Sequence, residues 1–239
     1  MPMPSNIQDH YGVPPEDYWI EDYFKVSDDY FLTEIDRLKR MKLIEDGMKS
    51  LDIGAGLGKQ MIALGKQGFD AYGIEASAPF YSQAIQKMGI DASKLQLCSL
   101  EEARFQDNTF DFISFGAVLE HLYNPSAAIR KALTWLKPSG LIHIEVPSAD
   151  WLINKLLNMV YKVLFKDYVA NLSPMHKPYH LHEFSLESFK MNAKLNGYVI
   201  KDYQYYVCDT FAPKILDPLL KLYMAKTGTG MQLCVWLEK

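Results

Sequence analysis

Two carboxylates bracket a glycine turn early in the chain. Asp52 stands two residues before Gly54 in the run Leu51-Asp-Ile-Gly-Ala-Gly-Leu-Gly58, and Glu75 closes the next apolar segment. Gly54 and Gly56 permit a tight turn and a close approach of backbone to a ligand. A helix opening at Lys59 would aim free N–H groups at an anionic moiety. A dinucleotide site wants G-x-G-x-x-G, and the place of its third glycine is taken by Lys59. By charge pairing, Asp52 suits an ammonium better than a pyrophosphate. Glu75 falls where an acid grips a ribose, and its two oxygens can accept from both hydroxyls of a cis-diol. The ligand so described carries a ribose, an amine and a carboxylate.

Histidines supply the second set of candidates. His121 follows Glu120 just past the fourth strand, where an α/β sheet opens its ligand crevice, so it is a candidate base or acceptor-orienting group. Its alternative role is a helix-cap or packing histidine. His176, His180 and His182 cluster with Tyr179 and Glu183. In an extended segment His180 and His182 share one face. His-x-His with a carboxylate can hold zinc or iron, but the helix-borne or Cys ligands that complete such sites are missing. The expectation is therefore acceptor contact and no metal.

The elements that must position these residues alternate. Met48–Ile53 reads as a buried strand and Lys59–Lys66 as a helix; Ala71–Glu75 is a strand, and Ser77 caps a helix running to Met88. Strands follow at Leu95–Cys98 and Phe110–Phe115, then a helix at Pro125–Leu136 stopped by Lys137-Pro138-Ser139-Gly140. Leu141–Val146 is a strand ended by Pro147. Later come a helix from Ser185 to Leu195, a strand at Tyr198–Val207, a helical piece at Pro213–Met224 and a strand at Gln232–Leu237. Strands alternating with helices at this spacing call for a parallel sheet covered on both faces. Residues 1–46 read as an N-terminal helical arm, rich in Tyr and Asp/Glu, that closes the other side of the cleft; its alternative is plain packing of an extra helix. Residues 47–239 form the main domain.

With 49% hydrophobic and 23% charged residues, the 239-residue chain has the balance of a globular protein. A formal net charge of −4 argues against a nucleic-acid backbone as partner. Cys98, Cys208 and Cys234 form no CxxC pair, and Cys98 and Cys234 sit in apolar runs as core thiols. No secretory leader or membrane span is legible, so a cytoplasmic protein is expected.

The stretch LDIGAGLGKQ resembles the first motif of the class I S-adenosylmethionine-dependent methyltransferases, and YGIEAS their second. The run from Leu97 to Ser148, with Leu119-Glu-His121, is similar to the small-molecule branch that carries a Leu-Glu-His motif. The resemblance covers about residues 48–148 strongly and 176–200 more weakly. It implies a three-layer Rossmann-like fold with helices on both faces of a mostly parallel seven-stranded sheet, the last strand antiparallel. It implies S-adenosylmethionine as cofactor. Asp52, Gly54, Ala55 and Gly56 would hold its methionine part, and Glu75 its ribose, with Ala76 and Ser77 alongside. Leu100 and Glu101 would lie near the adenine, where many relatives carry an Asp and this sequence has Ser99. Phe115 and Gly116 would line the cleft floor, and His121 would face the acceptor. The reaction implied is methyl transfer to an O, N or C atom of a small metabolite or sugar-like acceptor. The competing reading is a fold-sharing binding or regulatory protein without catalysis.

Residues 148–183 interrupt the alternation as an insertion. Leu152, Leu156, Met159, Val160 and Val163 repeat at helical spacing, with Lys155, Lys162 and Lys166 elsewhere. This helix is expected to serve as a lid; the alternative is a basic amphipathic surface for a membrane or lipid-like acceptor, without stable insertion.

Overall fold

Each central strand alternates its apolar residues between two cores, which is how one sheet comes to be covered twice. Along strand β4 (Phe110–Gly116), Ile113 and Phe115 enter one core while Phe112 enters the other. Strand β7 (Gln232–Glu238) does the same with Val235 and Leu237 against Trp236. The computed structural model describes residues 21–42, 44–167, 180–207 and 214–239. The remaining strands are β1 (Lys49–Ile53), β2 (Asp70–Glu75), β3 (Leu95–Leu97), β5 (Leu136–Pro147) and β6 (Val199–Tyr206). The seven strands lie in the order β3-β2-β1-β4-β5-β7-β6. All neighbours pair parallel except β7, which runs antiparallel to both β5 and β6. The expected mixed seven-stranded sheet is present.

Helices α1 (Leu32–Met41), α2 (Lys59–Gly65) and α3 (Ala78–Gln86) send Ile35, Leu38, Met61, Leu64 and Ala84 into one core. Helices α4 (Pro125–Trp135) and α6 (Leu186–Asn196) send Ile129, Ala132, Leu133 and Phe189 into the other. Between them in the chain lies α5 (Leu152–Val163), which buries no residue, and α7 (Asp217–Thr227) precedes β7. Ser185 begins α6 with a reciprocal capping box to Ser188, and left-handed Gly197 ends it, as its sequence signals require.

Two expectations are corrected. Lys137-Pro-Ser-Gly140 does not separate helix from strand: β5 already begins at Leu136, which pairs with Phe110. The register then shifts, so that Leu141 pairs with Phe112. Turn residues are here absorbed as an irregularity inside a strand, with Ser139 at φ 60°. The last helix spans Asp217–Thr227, ending beyond the expected Met224, and Pro218 sits in its first turn, where its missing N–H costs nothing; Pro213, where the helix was expected to begin, lies outside the described residues. Cys234 is a buried thiol, whereas Cys98, just past edge strand β3, is only half-buried.

Candidate active site

The carboxyl ends of β1, β2 and β4 lie side by side, and parallel register fixes what stands there. Asp52 is level with Gly73 on one side and Ser114 on the other. The Ser114 hydroxyl donates to Asp52 Oδ1 at 3.0 Å. Asp52 is only 4% exposed, and burial pushes its pKa up to about 7 against the lowering effect of that hydrogen bond.

The glycine turn follows. Gly54, at φ 73°, occupies a place where a Cβ would come within 2.5 Å of Val118 Cγ2. Both conformation and space therefore restrict position 54 to glycine. The N–H of Gly56 donates to Glu75 Oε2 at 2.7 Å and that of Ser77 to Oε1 at 2.7 Å. Burial raises the Glu75 pKa, opposed by these backbone donors and that of Ala76. Three backbone donors leave the carboxylate one lone pair for a further donor.

A cavity of about 350 Å³ opens over this turn, lined by Asp52, Gly54, Ala55, Gly56 and Gly116 with Tyr23, Tyr30 and Lys59. Of the N-terminal segment, Tyr23 and Tyr30 line this cavity; residues 1–20 lie outside the described residues. The Lys59 ammonium sits 4.8 Å from the centre of the Tyr23 ring. Gln60, which is 6% exposed, also lines the cavity, and its Nε2 has no hydrogen-bond partner among the described residues.

A second cavity of about 410 Å³ shares Tyr30, Gln60 and Gly116 with the first. Its other walls come from α1 (Phe31 and Glu34), from Ala117 and Glu145 at the ends of β4 and β5, and from Tyr206 and Gln232. The Tyr206 hydroxyl donates to Glu34. Burial raises the Glu145 pKa, and the neighbouring Glu34 charge raises it further.

Other expected site residues fall in different places. The Phe115 side chain is fully buried in the core, because strand alternation turns it away from the cleft that Gly116 faces. Leu100 is likewise a core side chain, and Glu101 is exposed. The carbonyls of both accept from Lys131 Nζ at 2.8 Å. His176 lies outside the described residues.

His121 belongs to a 3-10 turn, Leu119–His121, and its ring lies 4.9 Å edge-on from that of His180. The strap carrying His180 is held by the N–H groups of Leu181 and His182, which donate to Glu120 O at 2.7 and 3.2 Å. The His182 ring packs on Phe184 at 6.2 Å instead of joining the pair. Glu120 completes a group with His121 and His180 whose ligand atoms lie within 4.8 Å of one another. That grouping was invisible to a metal reading confined to residues 176–183. Burial lifts the Glu120 pKa to about 8, and its Oε2 has no partner among the described residues. Glu145, which lines the second cavity, adds to this rise, and Ala117 of the same lining lies two residues before the turn.

Lys59, Gln60, Glu34, Glu145, Tyr206 and Gln232 were not singled out as site residues. Only Lys59 and Gln60 had a local signal: both follow the glycine turn directly.

The chain is 30% identical over 135 residues to a rat mitochondrial ubiquinone biosynthesis O-methyltransferase, covering 54% of this chain and 37% of that protein. It is 29% identical over 99 residues to the ubiquinone biosynthesis O-methyltransferase of Methylococcus capsulatus, covering 40% and 42%. The chain thus spans about two fifths of the length of these two relatives. Among solved structures, a SAM-dependent methyltransferase from Archaeoglobus fulgidus superimposes with a TM-score of 0.60 at 13% identity, over 92% of this chain and 97% of that one. One from Mesorhizobium loti gives 0.59 at 15% identity, over 90% and 100%. These two likenesses concern the fold. A methyltransferase-domain family model matches residues 28–202, which takes in the glycine turn, both acids and the His121 turn, and the chain belongs to that family.

Proposed function

We propose that this chain binds S-adenosylmethionine in the cavity over the glycine turn and transfers its methyl group to an O, N or C atom of a small-molecule acceptor in the adjoining cavity. The observation that carries this reading is the placement of Asp52 and Glu75 at the ends of neighbouring strands, both buried, with a cavity of about 350 Å³ lined by Asp52 and the turn between them. The residues present fit the cofactor. Among the described residues Asp52 has no cationic partner, which suits an ammonium. Gln60 holds out an unsatisfied amide, and Lys59 offers a positive charge to a carboxylate.

The bound cofactor supplies a methyl carbon already activated by a positively charged sulfur. The chain's task is to align an acceptor lone pair with that carbon and to exclude water. Gly116, which lines both cavities and has no side chain, leaves the passage between them open. Tyr30 and Gln60 form its sides. We assign His121, with His180 against it, to orienting the acceptor or taking its proton from beside the second cavity. The domain division follows: residues 47–239 carry the cofactor cleft, and the arm over 1–46 closes it.

Thermal shift tests the reading. Adenosylhomocysteine at one hundred times its dissociation constant should stabilise the chain by about 2.7 kcal/mol. No shift with it or with S-adenosylmethionine refutes the cofactor site. Binding without turnover on amine, phenol and sugar acceptors would favour the non-catalytic binding protein.

A further inference from the structure

Helix α5 is inside out for a helix that packs on its own domain. An amphipathic helix normally turns its apolar stripe to the core and its polar residues to water. In α5, Leu156, Met159, Val160 and Val163 follow one another at intervals of three, one and three, a single stripe, and all four are exposed, Val163 at 69%. Asn154, Asn158 and Tyr161 on the other face are partly covered, as are Leu152 and Ile153 in the first turn. Just beyond the helix, Leu164 is exposed at 57% and Phe165 at 97%.

The charges are one-sided. Between Leu152 and Lys166 the sequence has Lys155, Lys162 and Lys166 and no Asp or Glu, with Asp150 and Asp167 just outside either end, although the whole chain is at −4. Lys155 reaches back to Asp150 at 2.8 Å, and Lys162 and Lys166 flank the exposed stripe towards its end. The N–H of Leu152 donates to the carbonyl of Thr229 at 3.1 Å, tying α5 to the residues just past α7, a helix in which Leu219, Leu222 and Tyr223 are also exposed. No helix among the described residues is long and apolar enough to cross a membrane.

We propose that α5 is a membrane-surface docking helix, which lies in the plane of an anionic lipid bilayer with its apolar stripe among the upper acyl chains and Lys162 and Lys166 at the headgroups. Large exposed aliphatic side chains, lysines at the stripe's edge and no acid within the helix are the features such a helix needs. Packing on either core of the described residues would require the stripe to face the other way.

The test is flotation of the full chain with vesicles of phosphatidylcholine alone, or with about a quarter phosphatidylglycerol, at low and high salt. The proposal expects binding to the anionic vesicles that weakens as salt screens the lysines. Met159→Ser with Val163→Ser, and separately Lys162→Glu with Lys166→Glu, should each weaken that binding by about tenfold or more. Melting temperature and adenosylhomocysteine affinity should stay unchanged. Absence of flotation at low salt, or undiminished flotation of both double variants, overturns the proposal. So does a drop in melting temperature in the serine variant, which would show the stripe packed within the chain. Light scattering that finds a dimer broken by the serine variant would assign the face to a second copy instead.

Discussion

Glu75 Oε2 accepts the backbone N–H of Gly56 at 2.7 Å, so the acid that ends β2 fastens the turn that follows β1. One side chain thereby shapes the turn that lines the cavity, and we assign it the ribose as well. The two duties cannot be separated by mutation, and the consequence can be measured.

Glu75→Gln exchanges an accepting oxygen for a donating amide. Either a turn N–H or a ligand hydroxyl then faces the wrong partner. Adenosylhomocysteine affinity should fall by about 10- to 100-fold, the worth of one hydrogen bond to a charged group, and calorimetry reads it directly. Native affinity in this variant would remove Glu75 from the site.

Asp52 gives the cleft a pH dependence. With its pKa pushed up to about 7, it is partly protonated at neutrality, and only the charged form attracts an ammonium. Affinity for S-adenosylmethionine should rise between about pH 6 and about pH 8, and Asp52→Asn should flatten the profile. The unliganded fold responds in the opposite direction. A raised carboxyl pKa contributes stability that is full below the ordinary value and lost as pH rises through about 7. Asp52→Asn should therefore stabilise the empty chain above that pH. Urea midpoints at about pH 5 and about pH 8, on either side of that value, check the sign.

His121→Ala should lower turnover by about 10²- to 10⁴-fold if the acceptor must lose a proton, while leaving adenosylhomocysteine affinity within about twofold. Full turnover would return His121 to a packing role.

His143 titrates out of sight. It lies in β5 between the rings of Phe31 and Trp236, at 5.4 and 4.6 Å, and burial lowers its pKa from 6.5 to about 3. The unfolded chain therefore takes up a proton that the folded chain refuses. Stability from this residue is full above about pH 6.5 and declines by up to about 1.4 kcal/mol per unit as pH falls towards 3. His143→Leu should lose that decline, and the difference between the two proteins in urea midpoints from pH 4 to pH 7, about three units, isolates it from the carboxyl groups.

The part of the proposed site around the glycine turn was legible because its parts are local. Asp52, Gly54 and Gly56 occupy one strand end and one turn, and Glu75 ends the very next strand, so spacing along the sequence stands for spacing in the fold. The second cavity had no such signature. Glu34 comes from a helix before the sheet, Glu145 from β5, Tyr206 from β6 and Gln232 from β7; only sheet pairing brings the last three together. His121 and His180 met in the structure although far apart in sequence, through backbone hydrogen bonds that composition cannot foretell. The Lys137–Gly140 segment misled because turn residues mark a break in regularity without saying whether the strand ends there or merely bulges.

Strand β7 is the seventh in sequence, yet it stands between β5 and β6. The edge of β5 therefore has no partner until a strand made later arrives, and β6 has nothing in the sheet to join before then. A nascent chain that has completed the glycine turn still carries an open edge on β5, whose residues Leu141 to Pro147 pair on that side only with β7. Such an edge is a template for pairing with another chain. Until β7 is made, that side of β5 is open to such pairing.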